Sequence, residues 1–213
     1  LGLAILVGFT ERDGRELFNS VLVARPDGPA GVQRKHNVTE IERAAGIRPG
    51  PVERTVFVFG GVRTAVLICA DTGIEGMAER LAAQGVEYRF IPTGGGGKIG
   101  DYLHEADLRT AEGRKRYADN RPRVFNTEAV LDLSDWRGIG FTSANALGPV
   151  GRSTCHQGHC MIVDNLGVMR AQLPGTIVLE HQQDQTIHAV LHFPPAGGEG
   201  ATGRRAGGRP RSG

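Results

Sequence analysis

Short apolar runs separated by turn residues dominate this chain and predict a fold rich in β-strands. The runs cover residues 3–9, 17–24, 56–59, 62–68, 88–91, 139–144, 161–163, 176–180 and 186–193. The first run is uninterrupted up to Gly8 and is expected to be a buried strand. Gly60-Gly61 lies between two of the runs and predicts a two-residue β-hairpin, and Pro26-Asp27-Gly28 predicts the turn that follows the second run.

One segment has the spacing of an amphipathic helix. Residues 74–84 place apolar side chains three and four positions apart, and Gly85 follows as the expected C-terminal cap. Further helices are expected in the charged stretch 101–120 and over residues 124–133. Strands on both sides of a strand–helix unit, with hairpins elsewhere, predict a mixed-sheet α/β or α+β domain.

Composition and charge favour one globular domain followed by a tail. The chain of 213 residues is 39% apolar and 23% charged, which is typical of globular proteins. Its net charge of +2 comes from residues 194–213, which hold four arginines and one glutamate and leave residues 1–193 slightly acidic. We therefore expect a folded domain over residues 1–193, a disordered Gly/Arg tail over residues 194–213, and no nucleic-acid partner.

The cysteine count and the apolar runs bear on location. Three cysteines in a chain of this length do not form a disulfide framework, so a reducing compartment, the cytoplasm, is expected. The longest apolar runs are too short to cross a bilayer, and the first run lacks a preceding basic segment. No membrane association is expected.

Cys69 is the first candidate for chemistry. It follows the apolar run 62–68, and the next residues turn into the predicted helix. A thiol at such a turn lies near backbone N–H groups and a helix N-terminus, which favour the thiolate and stabilise an oxyanion. The alternative interpretation is a buried cysteine that serves as a small apolar side chain.

Lys35 and Glu42 are candidates for a catalytic role only if the fold places them near Cys69. On its own, a lysine at a strand end is a solvated charge, and the charged stretch around Glu42 is a solvated loop or helix face. An ammonium fixed beside Cys69 would instead stabilise both the thiolate and the tetrahedral oxyanion.

Two further patterns have a composition that is found in ligand sites. Residues 155–160 hold two cysteines and two histidines, the residue types of a zinc site, but four contiguous candidates do not converge on one tetrahedral ion. Gly94-Gly95-Gly96-Gly97-Lys98 lacks the spacing of a phosphate-binding loop, so a flexible hinge is expected there. No metal is therefore expected at either segment.

Six motifs in order along the chain resemble the nitrilase or carbon–nitrogen hydrolase superfamily, in its amidase-like branch. The resemblance runs from Leu3 to Phe193, and its motifs are Gly8-Phe9-Thr10-Glu11, Phe18-Asn19-Ser20 with Pro26-Asp27-Gly28, Arg34-Lys35 with Glu42, Leu67-Ile68-Cys69-Ala70-Asp71 with Glu75, Ala144-Asn145 with Gly148, and the run from Gly158 to Gly167.

The resemblance implies a fold, a reaction and a set of site residues. The implied fold is an αββα sandwich of mixed β-sheets with helices outside, which forms homo-oligomers through its helices. The implied reaction is hydrolysis of non-peptide C–N bonds in a small-molecule amide through a cysteine thioester, without a cofactor. Cys69 would be the nucleophile and Lys35 the cation that holds the oxyanion, helped by the Ala70 N–H. Glu42 would position the lysine and the substrate, and Asn145 would lie in the substrate site.

Several features depart from the family pattern. The general-base glutamate of the family precedes the position of Gly8, and this chain starts at Leu1 within an apolar run. We therefore expect the first strand, its covering helix and that glutamate to be missing, apolar surface around residues 3–7 to be exposed, and the fragment to be inactive. Glu11 matches a different family position and is not expected to be the base. Ala78 stands where the family has an arginine, and residues 94–137 are expected to form an insertion over the active-site mouth.

The sequence leaves three functions open. Nitrilases carry Cys-Trp-Glu at the nucleophile, whereas this chain has Cys69-Ala70-Asp71, which favours an amide or carbamoyl-amide substrate over a nitrile. A non-catalytic nitrilase-like binding module is the alternative to this hydrolase. A zinc-binding module built on residues 155–160 is the third hypothesis.

Overall fold

Three β-sheets and a few short helices make up the described part of the molecule. The structure, a computed structural model, describes residues 2–94, 96–98, 110–112, 115, 136–150, 154–158, 160–173 and 186–193. Its strands are β1 (Ile5–Asp13), β2 (Glu16–Arg25), β3 (Gly28–Arg34), β4 (Phe57–Phe59), β5 (Val62–Val66), β6 (Tyr88–Thr93), β7 (Gly96–Lys98), β8 (Gly140–Asn145), β9 (Leu147–Val150), β10 (Thr154–Gln157), β11 (Cys160–Val163) and β12 (Met169–Leu173). Its helices are α1 (Glu40–Ala44), α2 (Met77–Ala83) and the one-turn 3-10 helix Cys69–Gly73, named here the Cys69 turn.

The sheets differ in their topology. The first contains β1, β2 and β3 as an antiparallel meander, and a small third sheet has the order β7-β10-β9. The central sheet has the order β12-β11-β8-β6-β5-β4. Within it, β5 pairs parallel to β6 and β6 parallel to β8. The residues that follow β5, β6 and β8 therefore lie along one edge of the central sheet.

Two apolar layers hold the sheets and α2 together. Between the first and central sheets, Val21 and Val23 of β2 pack with Phe57, Val66 and Ile68. The opposite face of the central sheet is covered by α2 and its surroundings, in a cluster that contains Ala65, Leu67, Met77, Ala78, Leu81, Val86, Trp136 and Ile139. The order sheet, sheet, helix is part of the expected sandwich.

The local predictions for the first half of the chain are largely confirmed. Gly60 and Gly61 have φ of 57° and 88° and join β4 to β5, so both glycines are required by a turn in the left-handed region. The helix predicted over residues 74–84 is shorter and begins at Met77, after Gly76 with φ of 69°. The Cys69 turn occupies the residues between β5 and this helix.

The prediction of a buried first strand is wrong. Strand β1 lies at the edge of the first sheet, and Ile5 and Val7 are about half exposed. The reason is the period-2 alternation of a strand, which directs only Leu6 into the layer between the sheets. The exposure of the apolar surface around residues 3–7 agrees with the expectation from the sequence.

Two other local predictions are also wrong. Residues 186–193 form no strand, although their exposure alternates along the segment and the Phe193 ring packs edge-on against Tyr88 with ring centroids 5.7 Å apart. They do not pair with a described strand. Gly96 and Gly97, which were expected to belong to a flexible hinge, instead lie in β7 and pair with β10.

Several predictions fall outside the described residues. These concern most of the insertion over residues 94–137 with its two helices, the strand at 176–180 and the tail over residues 194–213. No helix in the described part of the chain combines the length and the apolar character that a bilayer span requires.

Candidate active site

Lys35 directly follows β3 and, by the alternation of the strand, belongs to the face of the first sheet that is turned towards the central sheet. On β3, a Cβ at Gly31 would meet the Phe57 ring of the central sheet, and the side chain of Gln33 accepts a hydrogen bond from the Thr55 N–H. Lys35 follows at the same two-residue spacing and is 2% exposed. Its backbone donates to the Asn19 carbonyl at 2.8 Å, so the ladder with β2 continues one residue beyond the strand.

The Lys35 ammonium is paired with Glu42 from α1. Nζ donates to Glu42 Oε2 at 2.6 Å, and Asn19 Nδ2 donates to Oε1 at 2.7 Å. Helix α1 begins after a capping box, in which Thr39 Oγ1 accepts from the Glu42 N–H and Glu42 Oε2 accepts from the Thr39 N–H. The helix cap therefore holds the carboxylate that neutralises the buried ammonium.

Glu42 remains ionised under ordinary conditions. Burial raises the pKa of Glu42, but hydrogen bonds from Lys35, from the Thr39 backbone, from Asn19 and from the Thr39 hydroxyl outweigh it and lower the pKa to about 2. A carboxylate with so low a pKa is a weak general base near neutral pH. Its geometry suits it to orient Lys35.

Cys69 begins the turn at the end of β5 and has an unusual backbone conformation. Its φ is 51°, in the left-handed region that residues with a side chain seldom adopt. The side chain is half-buried and packs against the apolar layer between the first and central sheets. Backbone strain of this kind is concentrated at functional sites.

Asp71 connects the Cys69 turn to the residues that follow Lys35. Its Oδ1 accepts hydrogen bonds from the N–H groups of His36 and Asn37, at 3.0 and 2.7 Å. A further hydrogen bond joins the two segments: Asn37 Nδ2 donates to the Ala70 carbonyl at 2.8 Å. The structure therefore brings the segments of Lys35 and Cys69 together.

Ala70 and Asn145 lie at the same edge of the central sheet. Ala70 is the second residue of the Cys69 turn and is half-buried. Asn145 ends β8 opposite Thr93, the last residue of β6, and its N–H donates to Cys160 Sγ at 3.4 Å. Cys69, Ala70 and Asn145 thus lie at or beside this edge, and Lys35 and Glu42 form an ion pair whose segment is hydrogen-bonded to the Cys69 turn.

Glu11 lies on the opposite face of the first sheet from Lys35. Its carboxylate accepts from the Ser20 hydroxyl and from Arg34, whose guanidinium stacks on the Phe18 ring. The hydrogen bond from Arg34 is the main cause that lowers the pKa of Glu11. This position agrees with the expectation that Glu11 is not the base.

The motifs of the sequence also include residues near α2 and on β10. Glu75 is exposed and precedes α2 instead of lying in its first turn, and Ala78 is buried in the α2 core cluster. Within the described residues, no three His, Cys, Asp or Glu side chains group as a metal site requires. The side chains of Cys155 and His159 lie outside the described part, so the zinc hypothesis is not tested over its full motif.

Four residues of the site were not assigned roles from the sequence: Asn19, Thr39, Arg54 and Asp71. The Thr39-x-x-Glu42 spacing is a capping-box signature and could have indicated α1. Asn19 and Asp71 belong to the motifs of the family resemblance, but the motifs do not indicate which distant residues their side chains contact. Arg54 has no local signal, since its contacts are set by the packing of distant segments.

Comparison with solved structures identifies the class of fold. The solved structure of a mutant of the Nesterenkonia AN1 amidase from the nitrilase superfamily superposes with a TM-score of 0.60 at 20% identity, over 82% of this chain and 58% of that one. A glutamine-dependent NAD+ synthetase from Acinetobacter baumannii gives a TM-score of 0.59 at 17% identity, over 81% of this chain and 29% of that one. The fold is that of the nitrilase superfamily, as the resemblance predicted.

The family follows from the sequence match. The carbon–nitrogen hydrolase family profile matches residues 1–120, and the chain belongs to that family. A nitrilase of Pyrococcus abyssi (strain GE5 / Orsay) is 34% identical over 86 residues, which are 40% of this chain and 32% of the nitrilase. An (R)-stereoselective amidase of a Pseudomonas species is 28% identical over 116 residues, which are 54% of this chain and 42% of the amidase. The aligned part is thus less than half of either relative.

Proposed function

We propose that this protein hydrolyses amides or carbamoyl amides, with Cys69 as the nucleophile. The observation that carries the proposal is the buried Lys35 ammonium, paired with Glu42 and located on a segment that is hydrogen-bonded to the Cys69 turn. A buried ammonium with one carboxylate partner retains donors for a second anion, which here would be the tetrahedral oxyanion.

The proposed reaction has two stages, formation of a thioester on Cys69 and its hydrolysis. The Cys69 thiolate attacks the amide carbon and forms a C–S bond, and the carbonyl oxygen becomes an oxyanion near Lys35 Nζ and the Ala70 N–H. The C–N bond then breaks, and the leaving amine or ammonia takes the proton that the thiol gave to the general base. Water hydrolyses the thioester, which releases the acid and restores the thiol. Asn145 contacts the substrate in this proposal.

Glu11 and Glu42, two glutamates that the structure describes in the first sheet and beside Lys35, do not fit the role of the general base. Glu42 is ionised with a pKa of about 2 and accepts four hydrogen bonds, and Glu11 is paired with Arg34 on the other face of the first sheet. We propose that the base is a carboxylate other than these two. An amide substrate is favoured over a nitrile by Cys69-Ala70-Asp71, and one of the two sequence relatives is an amidase.

The test compares the full-length protein with its Cys69→Ala variant. Ammonia release is measured from simple aliphatic amides and from N-carbamoyl compounds, with circular dichroism to show that both proteins fold. The proposal predicts release by the wild type and loss of at least about a thousandfold in the variant, since the nucleophile is removed. Release that survives the substitution contradicts the assignment of Cys69.

A non-catalytic binding module is the second candidate. The observation in its favour is that Glu11 and Glu42 each form an ion pair, with Arg34 and Lys35, and neither is therefore suited to act as a general base. This alternative predicts that iodoacetamide labels Cys69 no faster than a free thiol and that the full-length protein releases no ammonia from any amide tested.

A further inference from the structure

A buried ion pair joins the two segments of the candidate site. Arg54 Nη1 lies 3.1 Å from Asp71 Oδ2, and both side chains are 0% exposed. Such a pair adds little to stability, because the desolvation of two charges cancels most of their attraction. Its presence is therefore better explained by the groups that it orients.

The pair holds the backbone on both sides of Lys35. Arg54 Nη1 donates to the Arg34 carbonyl at 3.1 Å, immediately before Lys35. Asp71 Oδ1 accepts from the N–H groups of His36 and Asn37, immediately after it. The lysine backbone is thus held between two members of one buried pair.

The same pair holds the backbone before Cys69. Asp71 Oδ2 accepts from the Ile68 N–H at 3.2 Å in addition to Arg54. Arg54 is itself fixed, because its remaining nitrogens donate to the carbonyls of Val52 and Pro51. One carboxylate thereby receives hydrogen bonds from the Lys35 side of the site, from the Cys69 side and from a rigid guanidinium.

We propose that Asp71, fixed by Arg54, is a positioning residue that sets the location of the Lys35 ammonium relative to the Cys69 sulfur. The inference rests on the proposed function. Asp71 does not touch substrate in this account. It determines how strongly Lys35 favours the Cys69 thiolate, and Arg54 keeps the Asp71 carboxylate in place.

The experiment measures coupling between Lys35 and Cys69 with and without Asp71. Iodoacetamide labelling of Cys69 is followed by peptide mass spectrometry from pH 5 to pH 10 in the full-length protein. Four proteins are compared: wild type, Lys35→Met, Asp71→Asn and the double variant. The Lys35→Met substitution is expected to slow labelling at neutral pH about tenfold or more in the wild-type background. In the Asp71→Asn background it is expected to slow labelling less than about threefold, because the ammonium no longer has a fixed position.

A matched control separates positioning from general damage. Asp164 is also a buried carboxylate that accepts two backbone N–H groups, those of Leu166 and Val168, and pairs with an arginine, Arg170. It follows β11 at the edge of the central sheet opposite Cys69. Asp164→Asn is expected to leave the effect of Lys35→Met unchanged.

The possible results of the labelling experiment distinguish the positioning role of Asp71 from the proposed function. Equal effects of Lys35→Met in folded wild-type and Asp71→Asn backgrounds overturn the positioning role and leave the proposed function standing. No effect of Lys35→Met in the wild type overturns the pairing of Lys35 with Cys69 and both proposals with it. Where Asp71→Asn fails to fold, Arg54→Lys replaces it, because lysine keeps a positive charge beside Asp71 but cannot make all of the hydrogen bonds by which Arg54 fixes that carboxylate. A smaller Lys35→Met effect in that background supports the positioning role, and an unchanged effect overturns it.

Discussion

At the scale of single residues, the burial of one charge organises the site. The Lys35 ammonium is almost inaccessible to water, so its stability depends on Glu42, which in turn depends on Asn19 and Thr39. Removal of one partner from a buried pair is costly because the other charge remains desolvated.

Glu42→Gln tests this dependence at neutral pH. The substitution keeps the shape of the side chain but removes its charge, and we expect the free energy of unfolding to fall by up to about 3 kcal/mol. Chemical denaturation of both proteins at pH 7 measures the difference. The outcome against the account is a loss below about 0.5 kcal/mol, the size expected for a surface substitution.

The same pair gives a pH dependence with a definite sign. The pKa of Glu42 is about 2 in the folded chain, against 4.5 as its ordinary value. A carboxyl group whose pKa is lowered by folding stabilises the fold above its ordinary value, and the contribution is lost as the pH falls from 4.5 towards 2. Melting temperatures over this range should therefore fall more steeply in the wild type than in Glu42→Gln, and parallel curves contradict the assignment.

At the scale of elements, α1 is a short helix whose start forms part of the site. Five residues are too few for a helix to be stable by its own hydrogen bonds, so the cap at Thr39 and the pair formed by Glu42 must hold it. The capping box thus connects local helix formation to the position of the buried ammonium.

Thr39→Ala removes the side-chain half of the cap, and Thr39→Ser is the matched control that keeps the hydroxyl. We expect the alanine variant to lower the free energy of unfolding by about 1 kcal/mol and the serine variant to change it by less than about 0.5 kcal/mol. Urea denaturation distinguishes the two. Equal values for alanine and serine mean that the hydroxyl does not cap the helix.

Elements with local signals could be predicted from the sequence, and elements without them could not. The Gly60-Gly61 hairpin and α2 follow from turn chemistry and from a 3.6-residue period, and both lie near their expected positions. Helix α1 shows no apolar face, and its only signal is the cap. Residues 186–193 have the alternation of a strand, but a strand also needs a partner, which depends on the placement of distant segments.

The residues of the site also divide into those with a local signal in the sequence and those without one. Cys69 is recognisable because a strand, a thiol and a helix follow one another, and Lys35 and Glu42 because their order resembles a family pattern. Arg54 contacts Asp71 across 17 positions, and its residue type and neighbours do not distinguish it from a surface arginine. Only the packing of the two sheets reveals that its side chain is buried.

At the scale of the whole molecule, part of the outer face of the first sheet is apolar and exposed. Ile5, Val7 and Phe9 of β1 lie on this face beside Val32 of β3, and all four side chains are exposed. An exposed edge strand with apolar side chains is a site of self-association.

We therefore expect the 213-residue chain to associate and to be poorly soluble on its own. Val7→Lys should reduce the apparent mass measured by light scattering, because it places a charge in the centre of this face. Val58→Lys on β4 is the control, since Val58 is similarly exposed but lies on the central sheet. A monodisperse, cooperatively melting wild-type preparation contradicts the expectation.

The central claim is that folding places the Lys35 ammonium beside the Cys69 sulfur. The reactivity of Cys69 can be compared with that of a second cysteine, Cys160, within one protein. Cys160 is a free, half-buried thiol like Cys69 and serves as the internal reference. Labelling by acrylamide at pH 7 is resolved by peptide mass spectrometry in the wild type and in Lys35→Met. The account predicts that Cys69 is labelled at least about ten times faster than Cys160, and that Lys35→Met removes most of this advantage without affecting Cys160. Equal labelling of the two cysteines in the wild type, or a Cys69 rate that is unchanged by the loss of Lys35, would contradict it.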